Sequence, residues 1–169
     1  NVDEETFSQQ DSLFFTLDYV SGYYMTSKSY VINLSSQLET FESGDFSAVD
    51  WEVESSNPWI IDSTTAHNGT FSARSAEIGH SASTVLTIRV NTMLKDSISF
   101  YYKVSSETNY DMFRFYVDGV SKLSASGTSN TDWKYKKITL NEGEHILKWE
   151  YSKDYSTSSG EDCVRIDDI

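Results

Sequence analysis

The sequence predicts an all-β chain whose strands must form two packed sheets. Composition is the first reason. Eleven Tyr, nine Phe and four Trp stand among many Ser, Thr and Val, side chains that suit a pleated, half-buried surface. Helix-forming runs of Ala, Leu, Glu and Lys are nearly absent. Spacing is the second reason: from Thr40 onward, short alternating segments are separated by turn residues, the pattern of a β-sandwich. Third, Pro58 is the only proline, so strand interiors run uninterrupted.

Taken in order, Leu13-Phe-Phe-Thr-Leu-Asp-Tyr-Val20 reads as a strand, Ser21-Gly22 as a turn, and Tyr30-Val-Ile-Asn-Leu34 as a second strand. A hairpin of two strands is marginal alone. Residues 1–38 therefore either pack on the main domain or are the tail of a preceding Ig-like domain. The linker-like Ser35-Ser-Gln-Leu-Glu39 favours the second reading and sets the main domain at 39–169. Within it, Thr84–Val90 places Leu86, Ile88 and Val90 on one face. Ser97–Val104 does the same for Ile98, Phe100 and Tyr102. Met112–Val117 aligns Phe113, Phe115 and Val117 and ends in Asp118-Gly119, a strong hairpin signal. Trp133–Leu140 leads through Asn141-Glu-Gly143 to a strand carrying His145, Leu147, Trp149 and Tyr151 on one face. Val164–Ile169 is the last strand. So many strands need a second sheet to cover the apolar face of the first.

Charge narrows the partners. With 26 acidic against 13 basic residues the net is -13, and such a surface repels nucleic acid and anionic lipid over a Debye length of about 8 Å. No nucleic-acid partner is expected. No apolar run approaches the roughly 20 residues that span a bilayer, so no membrane insertion is expected either. The acidic excess keeps an extracellular protein soluble, and some of its carboxylates can converge on a hard cation such as Ca²⁺. Cys163 is alone, so no intramolecular disulfide exists. That is ordinary for a bacterial extracellular domain and less usual for an animal one. Asn1 and Ile169 read as cuts from a longer polypeptide.

Catalysis has little to stand on. His67, His80 and His145 fall in no metal or nucleophile motif. Cys163 reads as a small buried hydrophobe and His145 as a satisfied core or rim histidine. Nothing singles out a glycosidase carboxylate pair. The expectation is a domain that is not an enzyme.

Several ordered motifs give the chain a family likeness. Phe41-Glu-Ser-Gly-Asp-Phe-Ser47, followed by Trp51 and Trp59, resembles the opening of the cleaved-adhesin modules of bacterial surface proteins and gingipain-like cysteine peptidases of Bacteroidetes. The resemblance continues through Asn68–Ser75, Ile98–Glu107, Phe113–Gly119, His145–Asp154 and Gly160–Ile169. It implies a jelly-roll sandwich similar to MAM and galactose-binding-like domains. It also implies a secreted or cell-surface location and a role in adhesion. The partners it implies are host or microbial glycans, extracellular-matrix or cell-surface proteins, and neighbouring domains of the same polypeptide. A structural accessory domain of a secreted cysteine peptidase is the alternative.

The resemblance further implies a structural calcium ion tying the first strand of the jelly roll to the last. Glu42 and Asp167 are the expected side-chain ligands, with Asp45 and Asp168 as second choices. The loop Thr65-Ala-His-Asn-Gly69, Asn68 included, would supply further oxygens. Strand alternation puts Asp167 and Asp168 on opposite faces. For a sugar, which presents apolar C–H faces and hydroxyls together, the candidates are Trp59, Tyr110 and Trp133, with Asn109 and Asp111 nearby. The opposing reading puts Trp51, Trp59 and Trp149 in the core.

Overall fold

The computed structural model describes residues 11–21, 24–34, 38–127 and 132–169. Gly22 and residues 35–37, where a turn and a linker are expected, lie outside the described residues. The chain divides into two compact units, Asn1–Leu38 and Glu39–Ile169. In the first, β1 (Asp11–Ser21) pairs antiparallel with β2 (Tyr24–Leu34), in register from Asp11 opposite Leu34 to Ser21 opposite Tyr24.

The second unit is a sandwich of two five-stranded antiparallel sheets, with no helix among its described residues. Its strands are β3 (Glu52–Val53), β4 (Ile60–Asp62), β5 (Ser72–Arg74), β6 (Ser83–Thr92), β7 (Asp96–Ser105), β8 (Met112–Val117), β9 (Val120–Ala125), β10 (Lys134–Leu140), β11 (Gly143–Ser152) and β12 (Cys163–Asp167). One sheet runs β10-β7-β12-β5-β4 and the other β3-β6-β11-β8-β9.

Period-two alternation builds the core directly. Ile98, Phe100, Tyr102 and Val104 of β7 and Val164 and Ile166 of β12 are buried from one sheet. Leu86 and Ile88 of β6, Phe113, Phe115 and Val117 of β8, and Leu147, Trp149 and Tyr151 of β11 are buried from the other. Phe100 meets Phe115 at 4.9 Å and Trp149 at 5.5 Å between ring centres, joining the sheets across the core. The β8–β9 hairpin turns through Asp118 and Gly119, at φ 52° and 77°. Asp-Gly favours this mirror-image turn because both central residues need positive φ.

The unit closes on itself. Glu39 donates its N–H to the carbonyl of Ile169 at 3.1 Å and accepts the N–H of Ile169 at 2.8 Å. Its buried carboxylate accepts the N–H groups of Thr40 at 2.9 Å and Phe41 at 2.7 Å, and the indole N–H of Trp51 at 3.0 Å. Those bonds hold Phe41 at φ 59° and drive its ring into the core at 0 % exposure.

Candidate functional site

The closure places acidic side chains of the first and last segments around one loop. Glu42 Oε1 accepts the N–H groups of Thr70 at 2.9 Å and Phe71 at 2.8 Å. Its carboxylate lies over Gly69, where an added Cβ would come within 2.5 Å of Cδ and Oε1. Asp167 is fully buried. Its Oδ2 accepts from His67 N at 2.7 Å and Asn68 N at 3.4 Å, and its Oδ1 from Asp168 N at 2.8 Å. Burial pushes its carboxyl up to about 6, against those backbone bonds. Strand β12 ends at Asp167, and Asp168 takes φ 49°. Alternation therefore stops there, and Asp168 Oδ2 reaches His67 Nδ1 at 2.6 Å on the same loop. Asp45 turns instead to Ser47, whose N–H and hydroxyl hold its exposed carboxyl below the usual carboxylate range.

Beside this loop stands an aromatic group. Tyr101 lies between buried Phe100 and Tyr102, so its side chain leaves the sheet on the outward face. In register it sits opposite both Tyr135 of β10 and Asp167 of β12. The His67 ring stacks on Tyr101 at 3.5 Å and 14°, with the Trp133 ring edge-on to it at 5.8 Å. Tyr135 lies 5.2 Å from Tyr101 and is 54 % exposed. The result is an outward patch of four flat rings, with exposed Lys137 on the same face of β10, two residues beyond Tyr135. Rings of this kind pack against the C–H faces of sugars, and exposed cations and carbonyls can meet hydroxyls.

A second polar cluster occupies the loop between β7 and β8. One carboxylate oxygen from each of Glu107, Asp111 and Asp154 falls within 4.8 Å of the others. Ser106, fully buried, donates its hydroxyl to the carbonyl of Asp111 at 2.9 Å, and its N–H to Gly127 at 3.3 Å. Asp111 Oδ1 accepts Asp154 N at 3.0 Å. Lys153 bonds Asp162 and Ser158 and stands 3.7 Å from Asp111 Oδ2.

Of the four side chains expected to face a ligand, Trp133 joins the aromatic patch and Tyr110 is 59 % exposed on the β7–β8 loop. Trp59 is 2 % exposed: it immediately precedes the edge strand β4, and its large apolar ring is buried in the core cluster instead of facing a ligand. Asp111 is 0 % exposed, drawn inward by Ser106 and Asp154. Glu42, Asn68, Asp167 and Asp168 do meet around the loop at 65–69. Sequence reasoning missed Glu39, Tyr101, Tyr135 and the partners of Asp111. Alternation alone places Tyr101 outward, but the neighbour of β7 is a matter of topology.

No protein-family model and no curated relative matches the sequence. Solved structures do. The chain is similar to TmCBM61, solved in complex with β-1,4-galactotriose, at 18% identity and TM-score 0.54 over 79% of this chain and 96% of that one. It is similar to the CBM22-1 xylan-binding domain of Paenibacillus barcinonensis Xyn10C at 14% identity and TM-score 0.51, over 76% of this chain and 87% of that chain. The secreted serine protease VesC of Vibrio cholerae aligns at 12% identity and TM-score 0.50, over 95% of this chain and 33% of that chain. The fold is the jelly-roll sandwich that carbohydrate-binding modules share.

Proposed function

We propose that this chain is a non-catalytic, extracellular carbohydrate-binding module of a secreted or cell-surface protein. The outward patch of His67, Tyr101, Trp133 and Tyr135 is its sugar platform. The observation that carries the reading is Tyr135, a large aromatic side chain left 54 % exposed beside three further rings on a flat sheet face. Likeness to modules solved with galactotriose or named for xylan supports the glycan class. The cleaved-adhesin resemblance belongs to the same reading, with glycans of a host or microbial surface as partners. Structural calcium belongs to it too.

Affinity electrophoresis and calorimetry against β-1,4-galactan and xylan test it, on the wild type and on Tyr135→Ala and Trp133→Ala. Both variants should lose about fivefold to a hundredfold in affinity, taking stacking on one ring as worth roughly 1–3 kcal/mol. Retention of neither glycan, or equal retention of all three proteins, would overturn the platform.

The alignment with VesC over 95% of this chain favours a second reading, an accessory domain of a secreted peptidase. On that reading the Tyr135→Ala variant leaves activity of a parent peptidase intact, whereas deletion of residues 39–169 does not.

A further inference from the structure

We infer that Glu107, Asp111 and Asp154 form a calcium site on the β7–β8 loop, separate from the carboxylates at the joined chain ends. Three acidic side chains together are common on a surface of net charge -13, so proximity alone decides nothing. What decides is that two carboxylate oxygens of this group lie out of water without a hydrogen bond. Glu107 Oε2 and Asp111 Oδ2 are both buried and have no hydrogen-bond partner, and the whole Asp111 side chain is 0 % exposed. Buried polar groups nearly always find a partner, and a buried carboxylate oxygen without one is costly.

Lys153 does not answer that need. Its ammonium is committed to Asp162 and Ser158, and it lies 3.7 Å from Asp111 Oδ2, outside hydrogen-bond reach. Counting Glu107, Asp111, Asp154 and Asp162 against Lys153 leaves three uncompensated negative charges around the loop.

The contrast with the chain ends is direct. There Glu42 Oε1 and both oxygens of Asp167 already accept backbone N–H groups. Here two carboxylate oxygens lack a hydrogen bond in a group of three converging carboxylates. An all-oxygen donor set without His or Cys selects a hard cation. Oxygens within 4.8 Å of one another are close enough to share one such ion, and carboxylates carried on loops suit the flexible coordination of Ca²⁺ better than the strict octahedron of Mg²⁺. Glu107 and Asp111 lie at the two ends of one loop, and Asp154 follows β11 in the opposite sheet. A bound ion thus crosslinks the β7–β8 loop to the end of β11 and sets the stance of exposed Tyr110.

Calorimetric titration with CaCl₂ and thermal unfolding in Ca²⁺ against EDTA, on the 169-residue chain, test the site. The wild type should bind one Ca²⁺ here and melt higher in Ca²⁺. Glu107→Gln and Asp111→Asn should each weaken that binding at least tenfold and abolish the rise, while Glu42→Gln keeps both. Glu107 is only half-buried, so Glu107→Gln decides the matter if Asp111→Asn does not fold. In EDTA, Glu107→Gln should melt no lower than the wild type, because it removes one of three facing charges. The proposal is overturned by absence of Ca²⁺ binding, by binding that survives Glu107→Gln, or by loss only in Glu42→Gln. An equal response to Mg²⁺ overturns the choice of calcium.

Discussion

Asp167 and His67 stand one hundred positions apart and are joined by a 2.7 Å hydrogen bond from the His67 N–H to Asp167 Oδ2. Through it the last strand fixes the loop whose imidazole stacks on Tyr101, so closure of the sandwich and the aromatic patch share one anchor. The anchor is electrostatically expensive, since burial raises the Asp167 carboxyl to about 6. A carboxyl raised on folding contributes stability that is whole below its unfolded value and is lost as pH rises through the folded one. From 3.8 to about 6 the loss amounts to about 3 kcal/mol. Urea unfolding of the wild type in EDTA should therefore weaken between pH 4 and 7 by about that much more than Asp167→Asn. Asp167→Asn should itself be weaker at pH 4, because an amide NH₂ then opposes a backbone N–H. Parallel pH profiles for the two proteins would refute the assignment.

Gly69 is required twice over, by its φ of 69° and by the Glu42 carboxylate 2.5 Å from where a Cβ would stand. Gly69→Ala should cost about 1–3 kcal/mol. Removing Glu42 takes away the clash but also the bonds to Thr70 and Phe71. In a double-mutant cycle, Gly69→Ala should cost less in the Glu42→Ala background than in the wild type. Additive losses in denaturant midpoints would mean that the backbone conformation alone sets the requirement.

Trp149 is the centre of the core, with 0 % exposure and ring centres of Phe115, Phe100 and Trp51 at 4.7, 5.5 and 5.6 Å. Trp149→Ala should cost about 3–5 kcal/mol. Tyr135→Ala, on the exposed patch, should stay within about 0.5 kcal/mol of the wild type. Chemical denaturation of both variants checks the contrast. A Tyr135 variant that loses several kcal/mol would make that residue part of the framework and remove it as a ligand platform.

The long strands were legible because their alternation spans whole elements: β8 coincides with the expected Met112–Val117, β10 is one residue shorter than the expected Trp133–Leu140, and β6, β7 and β11 extend the expected runs by two or three residues. The short strands Glu52–Val53, Ile60–Asp62 and Ser72–Arg74 were not, because two or three residues carry no period. Topology hid more. Tyr101 is readable as outward from its neighbours, but that Tyr135 and Asp167 flank it depends on β10 and β12 both pairing with β7. Glu39 looked like linker because its role lies in a pairing with Ile169 at the far end of the unit. Asp111 read as a surface polar residue. Its burial follows from contacts with Ser106, five positions earlier, and Asp154, forty-three later.

His145 closes the β8–β9 end of the second sheet, with Nδ1 2.7 Å from Asp118 Oδ2 and Nε2 2.8 Å from the Asn141 carbonyl. Both neighbours are acceptors, so both ring nitrogens donate only in the imidazolium form. The bond to Asp118, then that to Asn141, raises the His145 pKa, and the same His145 bond lowers that of Asp118. For the raised histidine, stability is fully present below its unfolded value of about 6.5 and is lost as pH climbs through the folded one. For the lowered aspartate, stability is present above its unfolded value and is lost as pH falls through the folded one. The pair therefore contributes most between about pH 4 and 6.5. Because Asp118 is 48 % exposed, screening keeps the contribution below about 1 kcal/mol. Stability of the wild type relative to His145→Ala should shrink from pH 6 to pH 9, and an NMR titration should place His145 above its ordinary value. A histidine titrating below that value, with a flat stability difference, would show that the imidazolium does not hold this turn.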